Sequence, residues 1–137
     1  MKILFCKSNS ISGFLIRLLT FSQWNHVALE FNGRVIDSTF SRGVSEAGLH
    51  EFRKRYSLVR SIDVAGVNEF AAWDLMRSQL GKSYDWTAII ALPFREDWQR
   101  DRKWFCSELV AAGLRAGGKK LNLQSWRVTP RDLWVSL

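Results

Sequence analysis

Three residues far apart in the chain are of types that could assemble a nucleophilic centre: Cys106, His26 and Asp37. Cys106 stands where a charged stretch ending at Lys103 gives way to a helical pattern. At a helix start, unpaired N–H groups and aligned peptide dipoles favour negative charge. A thiol there gives up its proton more readily, and the thiolate is the attacking species. His26 opens a predicted strand. Its imidazole is the side chain best suited to take a proton near neutral pH and hand it on. Asp37 lies on the next strand, where a carboxylate could hold one ring nitrogen while the other faces the thiol.

The elements that must position these groups follow from local pattern. His26 to Phe31 and Val35 to Phe40 flank Asn32-Gly33. Asn-Gly predicts a two-residue type I′ hairpin turn, because both central positions need φ > 0. That turn sets Phe31 opposite Arg34, His26 opposite Thr39 and Asp37 opposite Ala28. His26 and Asp37 are then diagonal neighbours on one face. Glu30 shares that face but lies toward the turn, and it competes with Asp37. His50 competes for the base role from a glycine- and charge-rich stretch. Cys6, within an apolar run, reads as an inert core thiol.

Around this hairpin, Lys2 to Lys7 predicts a first strand. Ile11 to Phe21 predicts a helix capped by Ser10, with Ile11, Phe14, Leu15, Leu18 and Leu19 forming a core-facing stripe. Arg42 to Glu51 reads as loop, Phe52 to Tyr56 as a helical turn and Tyr56 to Val64 as a strand. Asn68 caps a helix from Glu69 to Leu80 that stops at Gly81, with Phe70, Trp73 and Leu80 on one side. An apolar segment, Thr87 to Leu92, runs into Pro93, and Arg95 to Lys103 reads as a charged loop. Cys106 to Ala116 predicts a helix with Leu109, Val110, Gly113 and Leu114 on one face, stopped by Gly117-Gly118. Helices mixed with an antiparallel hairpin make the class α+β, in one domain over 1–137.

Composition narrows the field. The 137 residues carry 20 Lys+Arg against 13 Asp+Glu, a net charge of +7, and 47% are hydrophobic. That balance is globular, and no run of about 18 apolar residues could span a bilayer. Lys7 and Ser8 to Ser10 break the N-terminal apolar run, so no export signal is read. Synthesis in the cytoplasm is expected, with phage origin or delivery by another route accounting for any external target. The positive charge suits an anionic polymer or membrane surface. No nucleic-acid motif accompanies the basic residues, so no specific nucleic acid is expected. Two His and two isolated Cys have no metal-ligand spacing, so no metal or cofactor is expected.

Trp24 to Glu30, Val35 to Ser38, Leu80-Gly81-Lys82-Ser83-Tyr84-Asp85-Trp86 and Phe105-Cys106-Ser107-Glu108-Leu109-Val110 together resemble the circularly permuted NlpC/P60 papain-like cysteine hydrolases. The bacterial YiiX/YycO-type group is the nearest. The His strand and the polar third residue precede the Gly-x-x-Tyr segment and the Cys helix, which is the permuted order. The resemblance implies an antiparallel sheet packed against helices. It implies Cys106 as nucleophile, His26 as general base and then acid, and Asp37 as the residue orienting His26. Tyr84 matches a tyrosine beside the cysteine, where it would position substrate or an oxyanion. The implied activity is a peptidase or amidase that works through an acyl-enzyme on cell-wall peptides. A lipid- or acyl-directed thiol hydrolase or acyltransferase is the alternative, with Trp24, Trp86 and Trp98 lining an apolar groove. A binding module without turnover is the third reading.

Overall fold

The structure, a computed structural model, describes residues 1–85, 103–121 and 128–137, with the side chains at 11, 12, 15, 19 and 20 outside that description. The predicted segments Thr87 to Leu92 and most of Arg95 to Lys103, with Trp86 and Trp98, therefore lie outside the described residues.

Among the described residues the fold is α+β around a five-stranded antiparallel sheet. In chain order the elements begin β1 (Lys2–Lys7), α1 (Ile11–Thr20), β2 (His26–Phe31), β3 (Arg34–Thr39), β4 (Gly43–Gly48), α2 (Leu49–Arg53) and β5 (Leu58–Asp63). They continue α3 (Glu69–Ser78), β6 (Ser83–Tyr84), β7 (Lys103–Trp104), α4 (Cys106–Ala116) and α5 (Pro130–Ser136). The sheet order is β4-β3-β2-β1-β5, and β6 and β7 form a short parallel pair.

The hairpin turn forms as its sequence predicts. Asn32 and Gly33 both take the left-handed conformation, at φ 49° and 76°. The register follows: Phe31 faces Arg34, Glu30 faces Val35 and Leu29 faces Ile36. The ladder stops there. From Ala28 back to His26, β2 continues to pair with β1, where Cys6 lies opposite His26.

Period-2 alternation divides the sheet into two faces. Ile3, Phe5, Val27, Leu29, Phe31 and Ile36 join a large apolar cluster with α3, α4 and α5. Leu4, Cys6, Ala28 and Val35 form a smaller cluster with Phe52 of α2. Asn68 Oδ1 accepts from Ala71 N at 3.1 Å to cap α3, and Thr129 and Asp132 cap α5 reciprocally.

Four readings of the sequence need correction. Gly43 to Gly48 is a strand rather than a loop, and the helix after it starts at Leu49. Gly43 earns its place twice: its φ is +62°, and a Cβ there would lie 2.3 Å from the Lys82 carbonyl oxygen. On α3 the buried residues are Ala72, Trp73 and Met76, while Phe70 is exposed. On α1 the described members of the stripe, Phe14 and Leu18, are exposed rather than core-facing, and among the described side chains Gly13 and Ile16 are buried. Trp24 is a core ring packed with Phe5 and Trp134, not the wall of a groove.

Candidate active site

His26 sits at the first position of β2, on the side of the sheet that carries the smaller cluster. Asp37, two residues before the end of β3, points to the same side. Its Oδ2 lies 2.8 Å from His26 Nε2. The other carboxylate oxygen accepts from Ser45 Oγ at 3.4 Å, and Ser45 is the direct partner of Asp37 across β3 and β4. The carboxylate is thus fixed from two strands and buried. Tyr56 stacks on the imidazole, with ring centroids 5.3 Å apart and planes 11° apart. Phe52 stands behind, 6.4 Å from His26 and 5.0 Å from Tyr56.

Cys106 is the first residue of α4, and its side chain belongs to the large cluster on the other side. It reaches His26 at the end of the sheet, beyond the last pair of the β2–β3 ladder. Cys106 lies close enough to act electrostatically on the imidazole. With Nε2 held by Asp37, Nδ1 is the ring nitrogen available to the sulfur. The lead-in to α4 is pinned to β3, because Ser38 Oγ donates to the Trp104 carbonyl at 2.7 Å. Ser107, the next residue of α4, donates to the Val128 carbonyl. The N-cap of α4 is Phe105, which has no side-chain oxygen to occupy the first-turn amides, and Glu108 Oε2 accepts from Phe105 N at 3.4 Å.

These surroundings set the ionisation of His26. Burial alone would lower its pKa. The Cys106 charge, the hydrogen bond to Asp37, the hydrogen bond to Cys106 and the Asp37 charge together outweigh it, and the pKa is pushed up to about 10. His26 is therefore held in its protonated form at neutral pH. Burial pushes the Tyr56 hydroxyl up, reinforced by Asp37, Cys6 and Cys106. Burial also raises Tyr84, with Cys106 next in weight. Cys6 is raised by burial and then by Asp37, so it stays a neutral thiol.

The sequence-derived set separates cleanly. Cys106, His26 and Asp37 come together. Tyr84 is buried nearby on β6, its ring 5.8 Å from that of Phe105. β6 is carried there by β4, through Val44 N to Lys82 O at 2.8 Å and Gly81 N to Val44 O at 3.0 Å. Glu30 does not join: its Oε1 accepts from Gly33 N at 2.8 Å and closes the hairpin turn. His50 is exposed on α2. Tyr56, Ser45 and Ser38 are contributors that the sequence reading missed. Ser45 was findable once Gly43 to Gly48 was read as a strand, because it falls opposite Asp37.

The centre is closed in this structure. Cys106 is 1% exposed, Asp37 1% and His26 7%. Among the described residues no cluster of three His, Cys, Asp or Glu side chains could hold a metal ion, and no helix is long and apolar enough to cross a membrane. Compared with known proteins, the chain matches no family model and no curated relative.

Proposed function

We propose that this chain is a cysteine hydrolase with the permuted papain-like arrangement, cleaving amide bonds of bacterial cell-wall peptides. The observation that carries the reading is His26, held by Asp37 on Nε2 at 2.8 Å, with Cys106 at the start of α4 near enough to act on the same imidazole. The order of His26, Asp37, Tyr84 and Cys106 along the chain is the order that the family resemblance calls for.

The chemistry is acyl transfer through a thioester. With the proton of the Cys106 thiol already on Nδ1 of His26, the sulfur attacks the carbonyl carbon. The Cys106 backbone N–H, free of a side-chain cap, is the natural donor to the resulting oxyanion. The C–N bond breaks as His26 gives its proton to the leaving amine. Water then attacks the thioester while His26 takes a proton from it, and collapse of this second intermediate frees the carboxylate and returns the thiol. Asp37 keeps the imidazole in one orientation and stabilises its charged form. The net charge of +7 favours an anionic wall.

The burial of Cys106 favours one other reading, a binding module that keeps the arrangement without turnover. Purified sacculi separate the two. The wild type releases peptide or amine termini, and Cys106→Ala loses about 10⁴-fold of that rate or more while keeping its circular dichroism spectrum. Equal release by both proteins removes Cys106 from the mechanism. Competition between the two cysteines for a small haloacetamide gives the second readout. Labelling of Cys106 well ahead of Cys6 at neutral pH marks a reactive, reachable thiol; labelling no faster than Cys6 leaves the binding module.

A further inference from the structure

We propose that the end of the sheet bearing His26 docks on an anionic lipid bilayer, with α1 and the β3–β4 connection as the inserting elements. The surface stands apart from the reaction, and it rests on three independent observations.

The first is topological. β1 ends, β2 begins, β3 ends and β5 begins at the same edge, as the pairs Cys6 with His26 and Lys7 with Leu58 require. Residues 7–26, 39–43 and 53–58 therefore cluster at the end where Cys106 meets His26.

The second is exposure. Phe14, Leu18 and Phe21 follow i, i+4, i+7 and form one stripe, 56%, 57% and 81% exposed. The opposite side of α1 is fastened to the neighbour of His26. Arg17 Nη1 donates to Ser8 O at 2.7 Å and to Asn25 Oδ1 at 3.3 Å, and Gly13 packs against Ser8 and Asn25. Phe21 is held outward in the left-handed conformation, at φ 49°, where a glycine would be unstrained. Phe40, 79% exposed, leads inward through rings: it meets Tyr84 at 6.4 Å, and Tyr84 meets Phe105.

The third is charge. The three segments at this end contain Lys7, Arg17, Arg42, Arg53, Lys54 and Arg55 and no Asp or Glu, and the first acidic residue of the chain is Glu30. Asp63 and Glu69 belong to the connection at the opposite end. Arg55 pairs with Glu51 at 3.2 Å just outside these segments, which leaves five cations without an acid in the same segments. Exposed aromatic and leucine side chains set among such cations are the composition of a surface that lies in the headgroup region of a negatively charged membrane. A second copy of the chain would bring the same cationic segments against themselves, which disfavours self-association through this face.

The test uses full-length Cys106→Ala protein, so binding is read without turnover and stands or falls separately from the hydrolase reading. It is floated with vesicles of phosphatidylcholine alone and with one third phosphatidylglycerol. Binding to the anionic vesicles is expected to be about tenfold tighter or more and to weaken at high salt. Adding Phe14→Ser, Phe21→Asn and Phe40→Ser, all at exposed positions, lowers it about tenfold with an unchanged circular dichroism spectrum. Arg42→Glu with Lys54→Glu lowers it while leaving the rings in place. No flotation by the parent, or equal flotation by the ring variant, overturns the proposal. So does a concentration-dependent dimer that the ring variant abolishes in the absence of vesicle binding.

Discussion

The two faces of the sheet are made by the same strands and do opposite work. On β2, Val27, Leu29 and Phe31 enter the large cluster, while His26 and Ala28 alternate to the other side. The large side is filled by rings and branched chains under three helices. The small side has little apolar volume and carries His26, Asp37 and Ser45 under Tyr56 and Phe52. Stability is concentrated where the residues are interchangeable in chemistry, and specific polar geometry is placed where little apolar area depends on it. Cys106 belongs to the first side by packing and to the second by contact.

The largest effect that sharpens this contrast is on the apolar side. Phe5→Ala removes a fully buried ring packed on Trp24 and Trp134 and should cost about 3–5 kcal/mol in urea unfolding. Val35→Ala, equally buried in the small cluster, should cost no more than about 2 kcal/mol. Equal losses would erase the division between the faces.

The next effect is a pH dependence belonging to the polar side. His26 has its pKa raised to about 10 from an ordinary 6.5, so its contribution to stability is complete below pH 6.5 and is lost as pH rises through 10. Melting temperature should therefore fall across that window. Asp37→Asn removes one of the groups holding the imidazolium, so the fall should be smaller and should end at lower pH. A variant whose melting tracks the parent at every pH would show that the carboxylate does not govern the ring.

The smallest effect is Ser45→Ala. The bond from Ser45 Oγ to Asp37 is long, at 3.4 Å, so its loss should cost about 1 kcal/mol or less. Turnover should fall only a few-fold if Asp37 keeps its place against Nε2. A collapse comparable to that of Cys106→Ala would mean that β4 orients the carboxylate more than β3 does.

Much of the centre was legible because it rests on short-range rules. The Asn32-Gly33 turn fixes the hairpin register, and the register puts His26 and Asp37 on one side. The helical pattern after Lys103 puts Cys106 at a helix start. What was not legible depends on partners remote in sequence. Gly43 to Gly48 lacks a strong strand pattern and is a strand because β3 pairs with it and β6 leans on it. The α1 stripe is visible as a period, but periodicity names the residues that share a face and not what covers them. Tyr56 could be placed next to a strand; that its ring lies flat on an imidazole follows only from the turn between α2 and β5.

One small clasp has a wider consequence. Asp85 N donates to Trp104 O at 3.2 Å, Tyr84 lies beside Trp104, and Ser38 holds the same carbonyl from β3. Asp85 and Lys103 are thus held at one place, and the two ends of the sequence between them are fixed side by side. The entropy cost of closing a segment between fixed ends grows only slowly with its length. Insertions or deletions between Asp85 and Lys103 should therefore change the melting temperature little, with the anchor points of α4 left in place.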